Sequence, residues 1–147
     1  MPTNLKIEMS LLNKDAKVPT KTYESPACWD LYASRDTTIA SSGGRNWVRC
    51  GFKTALPKGY YARIYGRGGY SKDNQILLGA GVIDEDFRGE WQVLVFNFSP
   101  YPLKIAKGTK FAQFALCKKY DAEIDATVGK ELPGTERGEK GFGSSGN

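Results

Sequence analysis

In Glu90-Trp91-Gln92-Val93-Leu94-Val95-Phe96-Asn97-Phe98, both alternating sets of side chains carry large apolar residues. Successive strand residues point to opposite faces, so this pattern predicts a strand covered on both sides, at the centre of a sandwich or at a subunit contact. Shorter runs of β-branched, aromatic and aliphatic residues flank it at 5–9, 47–55, 60–65, 103–106 and 110–118, separated by Gly, Pro, Asn and Ser. The separators mark turns, among them Pro57-Lys58-Gly59, Ser99-Pro100-Tyr101-Pro102 and Lys107-Gly108. No segment shows a sustained helical repeat with caps at both ends, and 14–22 and 121–131 are polar and fit neither period. The expectation is an all-β domain with little helix.

A chain of 147 residues is long enough for one real core and too short for two ordinary ones. It is 40% hydrophobic and 25% charged, with no apolar run of membrane-spanning length, and the start MPTNLKIEMS lacks the apolar core of a secretory signal. Cytosol or nucleus is the natural reading, with no membrane partner. From Glu131 the sequence becomes rich in Gly, Ser and charge, so 1–130 reads as the domain and 131–147 as a flexible tail. Cys28, Cys50 and Cys117 are widely spread and outside any CxxC spacing, as expected of free thiols.

Histidine is absent, which removes Ser-His-Asp triads, Cys-His pairs and histidine-ligated metals together. Chemistry must rest on carboxylates, Arg, Lys, backbone groups or a metal carried by the substrate. The formal net charge of +5 suits a polyanion such as a nucleotide, and would also suit DNA or RNA. There is no basic arm or stripe, so mild basicity equally serves solubility.

Two segments carry chemistry. Gly79-Ala80-Gly81-Val82-Ile83-Asp84-Glu85-Asp86-Phe87-Arg88-Gly89-Glu90 surrounds one aromatic ring with three carboxylates and an arginine, among glycines that let backbone approach a ligand. A charged turn before a strand would read the same way. In the tail, Arg137-Gly138 and Gly141-Phe142-Gly143-Ser144-Ser145-Gly146 offer a guanidinium, hydroxyls and free amides for a terminal phosphate, and Phe142 could stack on a base. Alone, that composition is also that of a disordered end.

Five segments in order resemble the five motifs of the trimeric dUTPase family, over nearly the whole chain. Pro26-Ala27-Cys28-Trp29-Asp30-Leu31-Tyr32-Ala33 resembles the first, and Ala62-Arg63-Ile64-Tyr65-Gly66-Arg67-Gly68-Gly69-Tyr70-Ser71-Lys72 the second. Residues 81–90 match the third almost without change. Lys107-Gly108-Thr109-Lys110-Phe111-Ala112-Gln113 resembles the fourth, and 137–146 the fifth.

The resemblance implies hydrolysis of dUTP to dUMP and pyrophosphate, which limits uracil in DNA and supplies dUMP for thymidylate synthesis. It implies a distorted jelly-roll β-sandwich acting as a homotrimer, with sites shared between subunits and closed by the tail. Asp84 would bind the deoxyribose 3'-hydroxyl and orient the attacking water. Phe87, where the family usually has Tyr, would pack on the sugar and exclude a 2'-hydroxyl. A hairpin over 78–82, with Leu78, Gly81, Val82 and Ile83 about the base, would read uracil through its backbone. Arg67, Gly68, Gly69 and Gln113 would lie along the phosphates, with Arg137, Phe142, Gly143, Ser144 and Ser145 as the closing lid. Mg²⁺ held by the substrate phosphates would reach Asp30 through water. Gln113 shares a strand face with Phe111 and Ala115 by alternation.

Departures from the family pattern cluster on the phosphate side. Gly68 replaces a serine and keeps only its amide, Tyr65-Gly66 replaces Ala-Pro and should loosen the loop, and Cys28 replaces Gly. Thr109-Lys110 replaces Asp-Arg and removes an ion pair. They keep open a catalytically weakened dUTPase-like module that binds nucleotide or protein. The related dCTP deaminases and a nucleic-acid-binding β-barrel are further readings. Intact Asp84 and the Phe142 lid favour dUTP hydrolysis, with no nucleic acid as partner.

Overall fold

The computed structural model describes residues 4–143 and 146. Among them, eleven strands and one short helix follow in the order β1 (Glu8–Leu11), β2 (Trp29–Tyr32), β3 (Thr37–Ile39), β4 (Gly44–Arg49), β5 (Phe52–Ala55), β6 (Tyr60–Gly66), α1 (Gly68–Asn74), β7 (Ile76–Gly79), β8 (Val82–Ile83), β9 (Gln92–Asn97), β10 (Leu103–Ile105) and β11 (Lys110–Lys118). A four-stranded sheet runs β2-β11-β6-β8 and a three-stranded sheet β4-β9-β7, with β1-β5 and β10-β3 as separate pairs. The strand pairings are antiparallel, and the whole is the distorted jelly-roll sandwich expected.

The core lies between the two main sheets. Phe52 and Phe114 pack on Trp91 with ring centroids 5.1 and 5.0 Å away, and Phe114 stacks on Trp29 at 5.2 Å. Each large apolar side chain buried this way contributes about 1.5–3 kcal/mol. Two polar groups inside are satisfied. The Trp91 indole donates to the Thr54 hydroxyl at 2.9 Å, and the Asn97 amide donates to the Ile39 and Tyr101 carbonyls at 3.2 and 2.7 Å.

Several expectations need correction. The run at 47–55 is two strands, because Gly51 takes φ +77° and turns the chain between β4 and β5. The first strand begins at Glu8 rather than residue 5. β9 buries Val93, Val95 and Asn97 on its inner face, whereas Leu94 and Phe96 on the outer face are only half-buried. Register places Trp47 opposite Leu94 and Leu77 opposite Phe96, so this outer face continues onto side chains that are 48% and 61% exposed. Within one chain, β9 is therefore covered on one face only.

The turn at 80–81 joins β7 to β8, yet β7 pairs with β9 and β8 with β6. The expected hairpin is a corner between sheets. A β-bulge in β11 between Lys110 and Ala112 breaks alternation, leaving Phe111 buried while Gln113 and Ala115 are half-buried. The last strand ends at Lys118, well before residue 131, and every residue from 118 to 140 is exposed.

Candidate active site

The corner after β7 is built for close approach: Ala80 and Gly81 take φ +58° and +113°, and the Gly81 carbonyl accepts the Ile64 amide at 2.7 Å. β8 then delivers a tight turn in which the Phe87 amide donates to the Asp84 carbonyl at 3.2 Å. Gly81, Val82, Ile83, Asp84 and Phe87 line one cleft of about 410 Å³, together with Trp47, Glu90 and Gln92. Leu78 lies on the other side of the corner, in a neighbouring groove with Arg67 and Gly68.

The three carboxylates of this turn are not equivalent. Glu85 points away from the cleft, where its Oε2 accepts the Gly59 amide at 2.5 Å and its Oε1 the Lys119 ammonium at 3.0 Å. The Gly59 amide first, and then Lys119, hold the Glu85 carboxyl below the ordinary glutamate range. Asp86 is exposed and lines none of the clefts described here. Asp84 is exposed to the cleft, and no side chain or amide among the described residues holds its carboxylate. It is the carboxylate free to engage a ligand. Arg88 secures the turn by donating to the Glu85 and Thr54 carbonyls at 2.8 and 3.4 Å.

A second cleft, of about 630 Å³, gathers Asp30 from β2, Arg67, Gly68 and Gly69 from the β6–α1 junction, and Gln113 from β11. Gln113 lies opposite Asp30 in the β11–β2 register and donates to the Gly66 carbonyl at 2.8 Å. Arg67 donates to the Asp30 carboxylate at 3.0 Å and to the Lys110 carbonyl at 3.2 Å, and Lys110 approaches Asp30 at 3.7 Å. Lys110 thus makes an ion pair of its own. The Tyr65-Gly66 pair read as part of a loosened loop instead ends β6, and α1 follows, its first turn opening at Gly68, on the cleft, with amides that the helix itself leaves without partners. Cys28 also lines this cleft, and burial pushes its thiol up against the opposing pull of Lys21.

The expected site residues on the sandwich therefore fall mainly into two clefts, one holding Asp84 and Phe87 and the other Asp30, Arg67, Gly68, Gly69 and Gln113, with Leu78 in the groove that shares Arg67 and Gly68 with the second. The described residues of the tail line neither. Arg137 donates to the Lys140 carbonyl at 2.7 Å, Phe142 is fully exposed, and Gly143 is exposed. Ser144 and Ser145 lie outside the described residues. Sequence reasoning missed Trp47 and Gln92 in the first cleft, and the Gly59 and Lys119 partners of Glu85. Only the outward parity of Trp47 and Gln92 on their strands could have signalled the first two.

A family model described as dUTPase matches residues 14–146. The deoxyuridine 5'-triphosphate nucleotidohydrolase of Yarrowia lipolytica is 37% identical, covering 97% of this chain and 90% of its own. A solved dUTPase of Staphylococcus bacteriophage 80alpha, in complex with dUpNHpp, superposes with a TM-score of 0.86 at 21% identity, covering 97% of this chain and 99% of its own. A variant dUTPase of the S. aureus phage phi11, solved with a coordinated structural Mg(II) ion, gives 0.77 at 16% identity over 86% of this chain and 99% of its own.

Proposed function

Because the chain belongs to the dUTPase family, we propose that it hydrolyses dUTP to dUMP and pyrophosphate with Asp84 as the water-directing base. The observation that carries this reading is the contrast within one turn: Glu85 is fixed by Gly59 and Lys119, while Asp84 faces the cleft beside Phe87 and the Gly81 backbone. Water held by the Asp84 carboxylate gives it a proton as the oxygen attacks the α-phosphorus. The bond from that phosphorus to the oxygen bridging to the β-phosphate breaks, and pyrophosphate leaves. Phosphoryl transfer of this kind depends on positioning and charge stabilisation, which a chain without histidine can supply. Phe87 covers the sugar, and the amides and carbonyls at 78–83 read the base.

Arg67 and the amides of Gly68 and Gly69 receive the phosphates, with Gln113 beside them. Among the described residues no three acidic or thiol groups converge on a metal position. Asp30, a single carboxylate on the phosphate cleft, fits a Mg²⁺ that arrives on the triphosphate and is reached through water. Bound there, the ion would neutralise phosphate charge and fix its conformation.

Two separate clefts on one chain support a site assembled from neighbouring copies, the Asp84 cleft of one facing the Arg67 cleft of the next. The outer face of β4-β9-β7, with Trp47, Leu77, Leu94 and Phe96, supplies an apolar surface for that association. In a homotrimer, residues 131–147 of a third copy would close over the substrate, bringing Arg137, Phe142, Gly143, Ser144 and Ser145 to the phosphates and base. No helix among the described residues is long and apolar enough to cross a membrane. The reading is tested by measuring pyrophosphate from dUTP, dCTP, dTTP and UTP with Mg²⁺, alongside the solution mass. Pyrophosphate from dUTP alone, from a trimer, is expected; turnover by a stable monomer would overturn the shared site.

A further inference from the structure

We propose that Glu85 is a positioning residue, tying the turn that carries Asp84 to the point where the C-terminal arm leaves the sandwich. The proposal rests on the reading of Asp84 as the water-directing group. Three segments distant in sequence meet at the Glu85 carboxylate. Gly59, in the turn between β5 and β6, gives its amide to Oε2 at 2.5 Å, and Lys119, the first residue after β11, gives its ammonium to Oε1 at 3.0 Å. The knot closes on itself, since the Lys119 amide donates to the Gly59 carbonyl at 2.8 Å.

Position along the chain gives this knot its meaning. Beyond Lys119, the backbone hydrogen bonds of the described residues are short-range ones within the arm, such as Lys130 to Thr127 and Lys140 to Arg137. Lys119 is thus the last backbone anchor to the sandwich among the described residues, and its side chain is held by the residue next to Asp84. A carboxylate that directs water needs its backbone fixed to a fraction of an ångström, and among the described residues the Asp84 side chain has no partner of its own to fix it. On the other flank Arg88 holds the same turn to β5 through the Thr54 carbonyl, so Glu85 supplies the tie on the arm side.

The test compares Glu85→Ala, which loses both contacts, with Glu85→Gln, whose amide oxygen can still accept from Gly59. For Glu85→Ala, kcat is expected to fall by about tenfold or more, while affinity for dUpNHpp stays within about threefold. Glu85→Gln should recover most of the loss. Amide exchange across 84–89 should accelerate in Glu85→Ala and much less in Glu85→Gln. A kcat within about twofold of the parent, equal loss of kcat and affinity, or unchanged exchange would each overturn the proposal. If the parent itself released no pyrophosphate from dUTP, the activity would fail first, and the exchange measurement would still decide whether Glu85 holds the turn.

Discussion

The Arg67 guanidinium is already engaged before any phosphate arrives: its Nε donates to the Asp30 carboxylate at 3.0 Å, on a cleft that Gln113 and the start of α1 complete. Asp30 is 13% exposed and also faces Lys110 at 3.7 Å, so one half-sheltered carboxylate balances two cations. Removing it leaves both without their counter-charge, with Arg67 held only by its bond to the Lys110 carbonyl. Asp30→Ala is expected to lose about 1–3 kcal/mol of stability in urea unfolding. The Mg²⁺ concentration needed for half-maximal hydrolysis should rise with it, whereas chelation of metal from the parent should stop turnover without lowering the melting temperature.

Asp84 offers the reverse case, because nothing among the described residues leans on its carboxylate. Asp84→Asn should therefore unfold within about 0.5 kcal/mol of the parent. Turnover should fall by about 10²–10⁴-fold while dUpNHpp binding, followed by calorimetry, persists. A variant that turned over normally would remove Asp84 from the reaction.

Phe87 owes its place to the residue two positions on. A Cβ added at Gly89 would lie 2.5 Å from Phe87 Cζ and 2.9 Å from Cε1, closer than the ring can tolerate. Gly89→Ala must move the ring that is proposed to cover the sugar. A fall in kcat/KM for dUTP of about tenfold is expected. Discrimination against UTP should narrow at the same time, and parallel kinetics with the two nucleotides checks both.

The pH dependence of the Glu85 knot follows from its two partners. Glu85 titrates lower in the folded chain than its ordinary value of 4.5, so its contribution is complete above that pH and fades as pH falls through the folded value. Lys119 titrates higher than its ordinary 10.5, chiefly through its bond to Glu85, so its share is complete below that pH and fades as pH rises through the folded value. The melting temperatures of the parent and Glu85→Ala should therefore differ most between these limits and converge beyond both. A constant difference from about pH 3 to about pH 11, on the scale those ordinary values set, would remove the ion pair from the account.

Strands whose own residues carry the β pattern were legible in the sequence. β11 spans the expected 110–118, β6 adds only Gly66 to the expected run, and β10 stops one residue short. β2, β3, β7 and β8 are two to four residues long and include groups such as Asp30, two threonines and Gly79, so register with distant partners makes them strands rather than local preference. α1 reads Gly-Gly-Tyr-Ser-Lys-Asp-Asn, buries no residue and has no side-chain cap; its extended N-cap at Arg67 and left-handed C-cap at Gln75 bound it instead. The site divides in the same way. Asp84 and Asp30 could be found from motifs, but their separation into two clefts and the partners of Glu85, 26 and 34 residues away, are products of tertiary packing.

Gly66, which replaces the family's proline, is coupled to a residue five positions on. Ser71 is the residue whose Cβ and Oγ stand nearest the position a Cβ at 66 would take, with Oγ 2.7 Å and Cβ 3.7 Å from it. That same hydroxyl is buried and has no hydrogen-bond partner among the described residues. The serine therefore requires a glycine at 66, while gaining no bond of its own. Gly66→Ala alone should cost about 1–3 kcal/mol through overpacking, and Ser71→Ala alone should be neutral or stabilising by up to about 1 kcal/mol. Once the Ser71 hydroxyl is gone, the nearest remaining atom is its Cβ at ordinary contact distance, so the double variant should recover most of the loss. A coupling of about 0.5–3 kcal/mol in the double-mutant cycle is the expected signature. Since the Gly66 carbonyl accepts the Gln113 amide at 2.8 Å, the KM for dUTP should rise in Gly66→Ala and return in the double variant. Strictly additive effects on stability would mean that the glycine answers to the turn into α1 and not to Ser71.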